Sequence, residues 1–252
     1  MIVRTEAIAL RSVDYGETSQ IVTLYTKRMG TVAVMAKGAR GAKSRFGSAL
    51  QPMSHLQAVF YYKSSREVHS LSEASHMSVF KQLRRDIGRL SMGLRIVETV
   101  GTLMPRPESN EDAFQTILDV LTRLDVEDGH WANLLPYFQL QLSAVMGFAP
   151  VLDKEQIEQV GTSGGYIQLE DGSAVTSKPP VPAIPASRQA VRALGVMLHA
   201  DLSTILRMNV APPLLDELSE IVETYLNYHV IDFRQSRSKR VFENMRSGLS
   251  RP

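Results

Sequence analysis

The residues best suited to chemistry form a short cationic segment in the first fifth of the chain. Residues 37–45 place Lys37, Arg40, Lys43 and Arg45 among glycine and alanine residues. Cations neutralise phosphate groups, and small residues let a backbone come close to a ligand. We interpret the segment as a loop that contacts the phosphates of a nucleic acid. A flexible, solvated loop whose charges serve only solubility is the alternative.

Neighbouring residues strengthen this interpretation. The same N-terminal part of the chain contributes four more cations, which are Lys27, Arg28, Lys63 and Arg66. Bases stack on aromatic rings, and such stacking contributes about 1–3 kcal/mol per base. The rings that we expect to offer a stacking face are Tyr25, Phe46, Tyr61 and Tyr62.

The sequence lacks the motifs of common catalytic sites. A nucleotide-hydrolysing P-loop requires a contiguous Gly-Lys-[Ser/Thr], but Ala42 separates Gly41 from Lys43. No two of the six histidines have the i, i+4 spacing of a helical metal site, and the absence of cysteine excludes thiolate zinc sites and cysteine nucleophiles. The carboxylates of residues 108–128 are typical of solvated helix faces, with a two-carboxylate active site as the alternative. We predict that the protein is not an enzyme and has no metal or cofactor.

Charge is distributed unevenly along the chain. Residues 1–106 contain 16 Lys and Arg against 7 Asp and Glu, residues 107–233 contain 6 against 18, and residues 234–252 contain 6 against 1. The three net charges are therefore +9, −12 and +5, although the 252 residues together carry only +2. This asymmetry indicates that the N-terminal part meets a polyanion. The basic tail is either a second nucleic-acid contact or a solvated end.

The composition is that of a globular protein, with 44% hydrophobic and 21% charged residues. The chain has no apolar run close to the roughly 18 residues that cross a bilayer, and its first residues lack the layout of a signal peptide. We therefore expect a cytoplasmic protein that does not associate with a membrane.

Short β-type runs separated by turn residues occupy the first 75 residues. The predicted strands are residues 2–10, 20–26, 31–37, 56–62 and 67–72. The second and third strands are expected to form a hairpin across Arg28-Met29-Gly30. Five short strands fit a small closed barrel, for which an OB fold is the leading interpretation and an SH3-like barrel the alternative.

Helical periodicity follows the strands. An apolar stripe runs from Phe80 to Met104, and the glycines within it predict either a kink or two helices. A capping box beginning at Ser109 predicts the start of the next helix. Further helices are expected over residues 134–145, from Ser187, and after Pro212-Pro213.

The predicted fold class is α+β, with an OB-fold domain over residues 1–75 and a helical domain over residues 76–252. Residues 151–186 interrupt the helical pattern with glycines and prolines. They predict a loop-rich insertion that contains at most a small hairpin.

Short motifs occur in a characteristic order along the chain. They are Val-Asp-Tyr-Gly-Glu-Thr-Ser at 13–19, Thr26 followed by Gly30, Ala-Lys-Gly-Ala-Arg at 36–40, Lys-Ser-Arg-Phe at 43–46 and Ala-Leu-Gln-Pro at 49–52. Farther on, Phe-Gln-Leu-Gln-Leu at 138–142 runs into Met-Gly-Phe-Ala-Pro at 146–150. In order and spacing these motifs resemble the bacterial RecO family of recombination mediators. The resemblance is dense over residues 10–75 and thin after Pro150.

The resemblance implies an N-terminal OB fold joined to a helical domain, without enzymatic turnover. It also implies binding of single- and double-stranded DNA, annealing of complementary strands and, with RecR, loading of RecA onto DNA covered by single-strand-binding protein. Such a protein would lie in the cytoplasm at the nucleoid. The positions that match basic family residues implicated in DNA contact are Lys37, Arg40, Lys43 and Arg45.

Two further expectations concern the C-terminal part. Many family members carry a four-cysteine zinc module after the Gly-Phe-Ala-Pro segment, but here Val160-Gly161 stands where Cys-Gly is expected, so we predict an insertion without zinc. A groove in the helical domain would receive the C-terminal peptide of single-strand-binding protein. The cations that could border it are Arg84, Arg85, Arg89, Arg123, Arg188, Arg192 and Arg207.

Two hypotheses from other classes compete with this one. The first is a non-enzymatic adaptor whose basic barrel binds RNA or a protein partner. The second is a nuclease or hydrolase that depends on carboxylates.

Overall fold

The computed structural model describes residues 1–42 and 44–230. Lys43 and the basic tail at residues 234–252 therefore lie outside the described residues. The chain divides into two compact units, of which the described parts are residues 1–125 and 126–230. Among the helices that the structure describes, none is long and apolar enough to span a membrane.

The first unit begins with five strands that close into a barrel in the order β1-β2-β3-β5-β4. The strands are β1 (Ile2–Tyr15), β2 (Ser19–Thr26), β3 (Gly30–Ala36), β4 (His55–Tyr61) and β5 (Val68–Ser78). The predicted OB-fold barrel is confirmed, and β2 and β3 form the predicted hairpin. The barrel interior is apolar because alternate side chains such as Val22, Val34 and Phe60 point inward and are buried.

Strand β1 is longer than predicted because it pairs with two different strands. Its residues from Ile2 to Ile8 pair with β4, and those from Ala7 to Tyr15 pair with β2. The register shifts between Ala9 and Arg11. A bulge of this kind bends a strand and increases its local twist. The bend lets β1 pair with β4 through its first half and with β2 through its second half.

Three helices complete the first unit: α1 (Lys81–Arg85), α2 (Ile87–Leu103) and α3 (Glu111–Val126). The break that the glycines predicted falls instead at Asp86, whose side chain accepts a hydrogen bond from the Arg89 backbone N–H. The predicted cap at Ser109 is also corrected, since it is the Asn110 side chain that accepts from the Ala113 N–H at 2.9 Å. Asparagine and aspartate compete well for such positions because their oxygens reach the third N–H of a helix.

These helices pack on the barrel, so the first compact unit extends beyond the barrel to residue 125. The Phe114 ring of α3 lies 6.4 Å from Tyr25 and 6.3 Å from His55, as measured between ring centroids. The Thr31 hydroxyl donates to the Met104 carbonyl at 2.6 Å. Apolar contact with the barrel wall therefore joins α1–α3 to the β-module.

The second unit contains the remaining elements. Its helices are α4 (Leu134–Val145), α5 (Lys154–Gln159), α6 (Arg188–His199), α7 (Leu202–Arg207) and α8 (Pro212–His229). Its strands are β6 (Gly165–Gln168), β7 (Ala174–Val175) and β8 (Ala183–Ala186), in the sheet order β7-β6-β8.

Residues 151–186 are more ordered than the predicted loop-rich insertion. They contain helix α5 and all three strands of the small sheet. The sequence pattern missed this sheet because its strands have at most four residues and one contains Pro185. Proline is tolerated in β8 because β8 is an edge strand, one side of which has no partner.

The insertion is held by apolar packing. Leu152, Val160 and Ile167 are buried in it, and Val160 is fully enclosed. A four-thiolate zinc site does not fit this chain, which has no cysteine to supply ligands.

The turn between β2 and β3 generates a testable prediction. Gly30 has a φ of +63°, and a side chain there would overlap the backbone of Glu108. Replacing Gly30 with alanine should lower the free energy of unfolding by about 3 kcal/mol, because positive φ and steric overlap both penalise the methyl group. The measurement is urea denaturation followed by circular dichroism.

Gly16 provides the matched control. It has a φ of +61°, but nothing lies within 4 Å of the position of an added Cβ. Gly16→Ala should therefore lose only the conformational part, about 1 kcal/mol. Equal losses in the two variants would contradict the close approach of the 104–108 segment to the barrel.

Candidate nucleic-acid interface

The predicted DNA-contacting cations lie in three connections of the barrel. Lys37, Arg40 and Arg45 lie in the connection between β3 and β4 and are exposed, and Lys43 of the same connection is outside the described residues. The turn between β2 and β3 carries Lys27, which is half-buried, and Arg28, which is exposed. The loop between β4 and β5 carries two exposed cations, Lys63 and Arg66.

The strand register separates these cations into two groups. Gln20 pairs with Ala36 at one end of the β2–β3 hairpin, and Thr26 pairs with Gly30 at the other. Six residue steps along a strand cover about 20 Å. We call Lys37, Arg40 and Arg45 the upper cationic group, and Lys27, Arg28, Lys63 and Arg66 the lower cationic group.

The lower group shares one end of the barrel because β5 runs parallel to β3. The loop that precedes β5 therefore opens at the end where β3 begins. At the same end, the Arg28 backbone N–H donates to the Thr5 hydroxyl at 3.3 Å, which holds the β2–β3 turn against β1. The sequence predicts one cationic region that includes all eight residues. It cannot separate them into two groups, because the order of the strands decides which connections lie at the same end of a barrel.

Arg40 differs from its neighbours because it is bonded within the barrel. Its Nε lies 3.2 Å from the Asp14 carboxylate, and its Nη1 donates to the carbonyls of Gly16 at 3.2 Å and Glu17 at 3.3 Å. Its backbone N–H donates to the Thr18 carbonyl at 2.9 Å. Arg40 therefore clasps the β1–β2 turn to the β3–β4 connection, and Asp14 offsets its charge.

Arg45 and Lys37 extend from the same connection without such a clasp. The guanidinium carbon of Arg45 lies 4.9 Å from the centroid of the Phe46 ring, and Phe46 is buried in the barrel core. Phe46 thus anchors the connection while Arg45 stays at the surface. Lys37 is exposed directly after β3 ends at Ala36.

The expected stacking faces of Tyr25 and Phe46 are corrected by the structure, since both side chains are buried. Tyr25 packs against Phe114, and burial raises its pKa to about 12. Tyr62 is half-buried, with its ring 4.5 Å from that of His69. Of the four predicted rings only Tyr61 offers a largely open face, being 51% exposed.

Sequence reasoning missed three exposed residues on the outer surface of the barrel, which are Arg11, Val13 and Tyr15. They lie on the second half of β1, beyond the bulge, where the predicted strand had already ended. Their i, i+2 spacing is the signal that places them on one face of a strand. The apolar-polar-apolar order of Val13, Asp14 and Tyr15 is the sequence signal that would have extended the strand to Tyr15.

The cations predicted to border a groove have different surroundings. Arg84 donates to the Gln51 side chain and the Pro52 carbonyl, and Arg89 donates to the Leu124 carbonyl at 2.8 Å. Both side chains therefore stabilise the first unit. Arg192 is exposed on α6 of the second unit.

The clasp formed by Arg40 generates the next prediction. Lysine keeps the charge but cannot reach Asp14 and two carbonyls together, because it lacks the fork of the guanidinium group. In Arg40→Lys the backbone N–H of residue 40 should exchange with solvent about tenfold faster, which corresponds to a loss of about 1.4 kcal/mol. Hydrogen exchange measured by NMR provides the readout.

Arg45→Lys is the control, since Arg45 lies against a ring and not in the clasp. That variant should leave exchange at residue 40 unchanged. An Arg40→Lys protein with wild-type exchange would show that the clasp does not order the connection.

Comparison with known proteins adds to this geometry. Residues 1–80 match the family described as "Recombination protein O N terminal", and residues 84–238 match "Recombination protein O C terminal". The chain is 44% identical to the DNA repair protein RecO of Salinibacter ruber, with 95% of this chain and 93% of the relative covered. It is 29% identical to the protein of that name from Desulfatibacillum aliphaticivorans, with 97% of each covered. For the one from Bacillus pumilus the identity is 28%, with coverage of 98% and 96%.

Proposed function

Because the chain belongs to the RecO family of DNA repair proteins, we propose that it acts as a DNA-binding recombination mediator without catalytic turnover. In this proposal it anneals complementary single strands and helps to load recombinase onto DNA covered by single-strand-binding protein. The observation that carries the proposal is the exposure of cations on the connections of an OB-fold barrel, above all Lys37 and Arg45.

Phosphate contact is the first step of the proposed activity. Cations at the surface bind a polyanion by releasing its counterions, so the affinity falls as the salt concentration rises. The upper group supplies Lys37 and Arg45, together with Lys43 of the same connection, while Arg40 positions that connection through Asp14. The lower group adds Arg28, Lys63 and Arg66, which are exposed.

Annealing follows from the same contacts. Two complementary strands repel each other through their phosphates, and cations that neutralise both lower this repulsion. Contacts to phosphates and sugars carry no sequence information and leave the base edges free to pair. A barrel that grips backbones can therefore hold any two strands close without reading their sequence.

The proposed partners come from the family resemblance. They are single- and double-stranded DNA, RecR, the C-terminal peptide of single-strand-binding protein and, indirectly, RecA. The proposed location is the cytoplasm, in association with the nucleoid. Exposed Arg192 on α6 is one cation that could meet the acidic end of such a peptide.

A charge reversal tests the proposed DNA contact. Lys37→Glu, Lys43→Glu and Arg45→Glu together should weaken binding to a single-stranded oligonucleotide and slow annealing. Each lost phosphate contact lowers the slope of log affinity against log salt by about 0.7, so the triple variant should lose about 2 from that slope. The measurement is a salt titration by fluorescence anisotropy, with an annealing assay in parallel.

The matched control reverses three exposed cations of the second unit, Lys154, Lys178 and Arg192. It changes the net charge equally and should leave the slope close to that of the wild type. Equal slopes in the barrel variant and the wild type would contradict the proposed contact. Equal losses in the two triple variants would indicate a general charge effect.

A further inference from the structure

Helix α1 begins at the same end of the barrel as the upper cationic group. β5 runs parallel to β3, so both strands end on that side. β3 leads into the connection that carries the upper cationic group, whereas β5 ends at Ser78 and is followed by α1. Ser78 pairs with His55, the first residue of β4. The start of α1 therefore lies beside the place where the β3–β4 connection ends.

The segment around α1 is strongly basic. Residues 77–95 contain five Lys and Arg against one Asp. Lys81 and Arg85 are exposed, and their i, i+4 spacing puts them on one face of the helix. The carboxylates of Asp86 and Asp125 accept hydrogen bonds from helix backbone N–H groups, each at 2.8 Å. We call Lys81 and Arg85 the α1 cations.

Arg84 fixes α1 against the β3–β4 connection. Its Nη1 donates to the Gln51 side chain at 3.1 Å. Its Nη2 donates to the Pro52 carbonyl at 3.2 Å and to the Ser54 hydroxyl at 2.9 Å. The rigid fork of a guanidinium group holds several acceptors in one arrangement. The α1 cations are therefore held beside the connection that carries the upper cationic group.

Apolar packing fixes the same arrangement. Met53 of the connection and Leu83 of α1 are both buried. A side chain at Gly93 of α2 would overlap the Met53 sulfur and press on Leu83, so the glycine leaves the space that Met53 fills. On the other side, the Ser48 hydroxyl lies 2.9 Å from the His76 ring nitrogen, which joins the connection to β5. Close packing of this kind resists displacement of the connection.

The distribution of charge over this surface suits two phosphate chains. Residues 46–54 contain no charged residue, and they separate the upper cationic group from the α1 cations along the connection. Two strands that are about to pair present two phosphate chains with uncharged bases between them. A surface with cations on both sides of a neutral segment is electrostatically complementary to that arrangement.

We infer that the α1 cations bind the phosphates of a second strand while the upper cationic group binds the first. This inference rests on the DNA-binding function proposed above and names the place of the second strand in annealing. Repulsion between two phosphate chains is strongest at short distance, so cations that hold both chains side by side lower it where pairing begins. One chain of this protein would then bring both strands of a pair together.

The variant Lys81→Gln/Arg85→Gln tests the second site, because glutamine removes the charge and remains a good helix former. Native mass spectrometry with short oligodeoxythymidine and oligodeoxycytidine, which do not pair, counts the strands bound per chain. The wild type should bind two strands and the variant one. At about 0.1 M salt, affinity for the second strand and the rate of annealing should fall on the order of tenfold, and the salt slope of the second binding step by about 1.4. Affinity for the first strand should not change.

Lys154→Gln/Lys178→Gln is the matched control, since it removes two exposed cations of the second unit and should behave like the wild type. A wild type that binds one strand per chain, or an α1 variant that keeps two strands and wild-type annealing, would overturn the inference while leaving the proposed DNA contact intact. Loss of first-strand affinity in the α1 variant would also overturn it, because α1 would then extend the site of the first strand. A wild type that binds no strand would instead overturn the proposed function.

Discussion

Closure of the five-stranded barrel is the constraint on which the other features depend. One strand, β1, pairs with β4 through its first half and with β2 through its second, and the bulge after Ala9 permits the bend between them. Inward side chains such as Leu24 and Phe60 fix the register, because a slip of one residue would turn them toward solvent. The fixed register decides where each connection leaves the barrel and which side chains form the outer face.

Residues of one type have different roles on this framework. The Arg40 side chain is bonded to Asp14 and to two backbone carbonyls. The Arg45 side chain is exposed at the surface and packs on the ring of Phe46, which is buried. A guanidinium group whose charge is offset by a neighbouring carboxylate attracts a phosphate less strongly than one without such a counter-charge. Arg40 thus orders the connection between β3 and β4, and the exposed Lys37 and Arg45 of the same connection are available to a ligand.

Aromatic side chains are divided in the same way. Tyr25 lies under Phe114 of α3, so it belongs to the packing between the barrel and the helices. Tyr15 and Tyr61 point outward from parts of the barrel that these helices leave exposed. Helices α1–α3 therefore cover one part of the outer surface of the barrel and leave the rest exposed to solvent.

By itself, the sequence determined the class of the fold, the five barrel strands, most of the helices and the family, because periodicity, turn residues and motif order are local properties of the chain. It also identified the cationic connection at residues 37–45. Only the tertiary structure decided the division into two cationic groups, the pairing of Arg40 with Asp14, the burial of Tyr25 and the sheet within residues 151–186. These features depend on strand order, register and packing between distant segments, which no local pattern encodes.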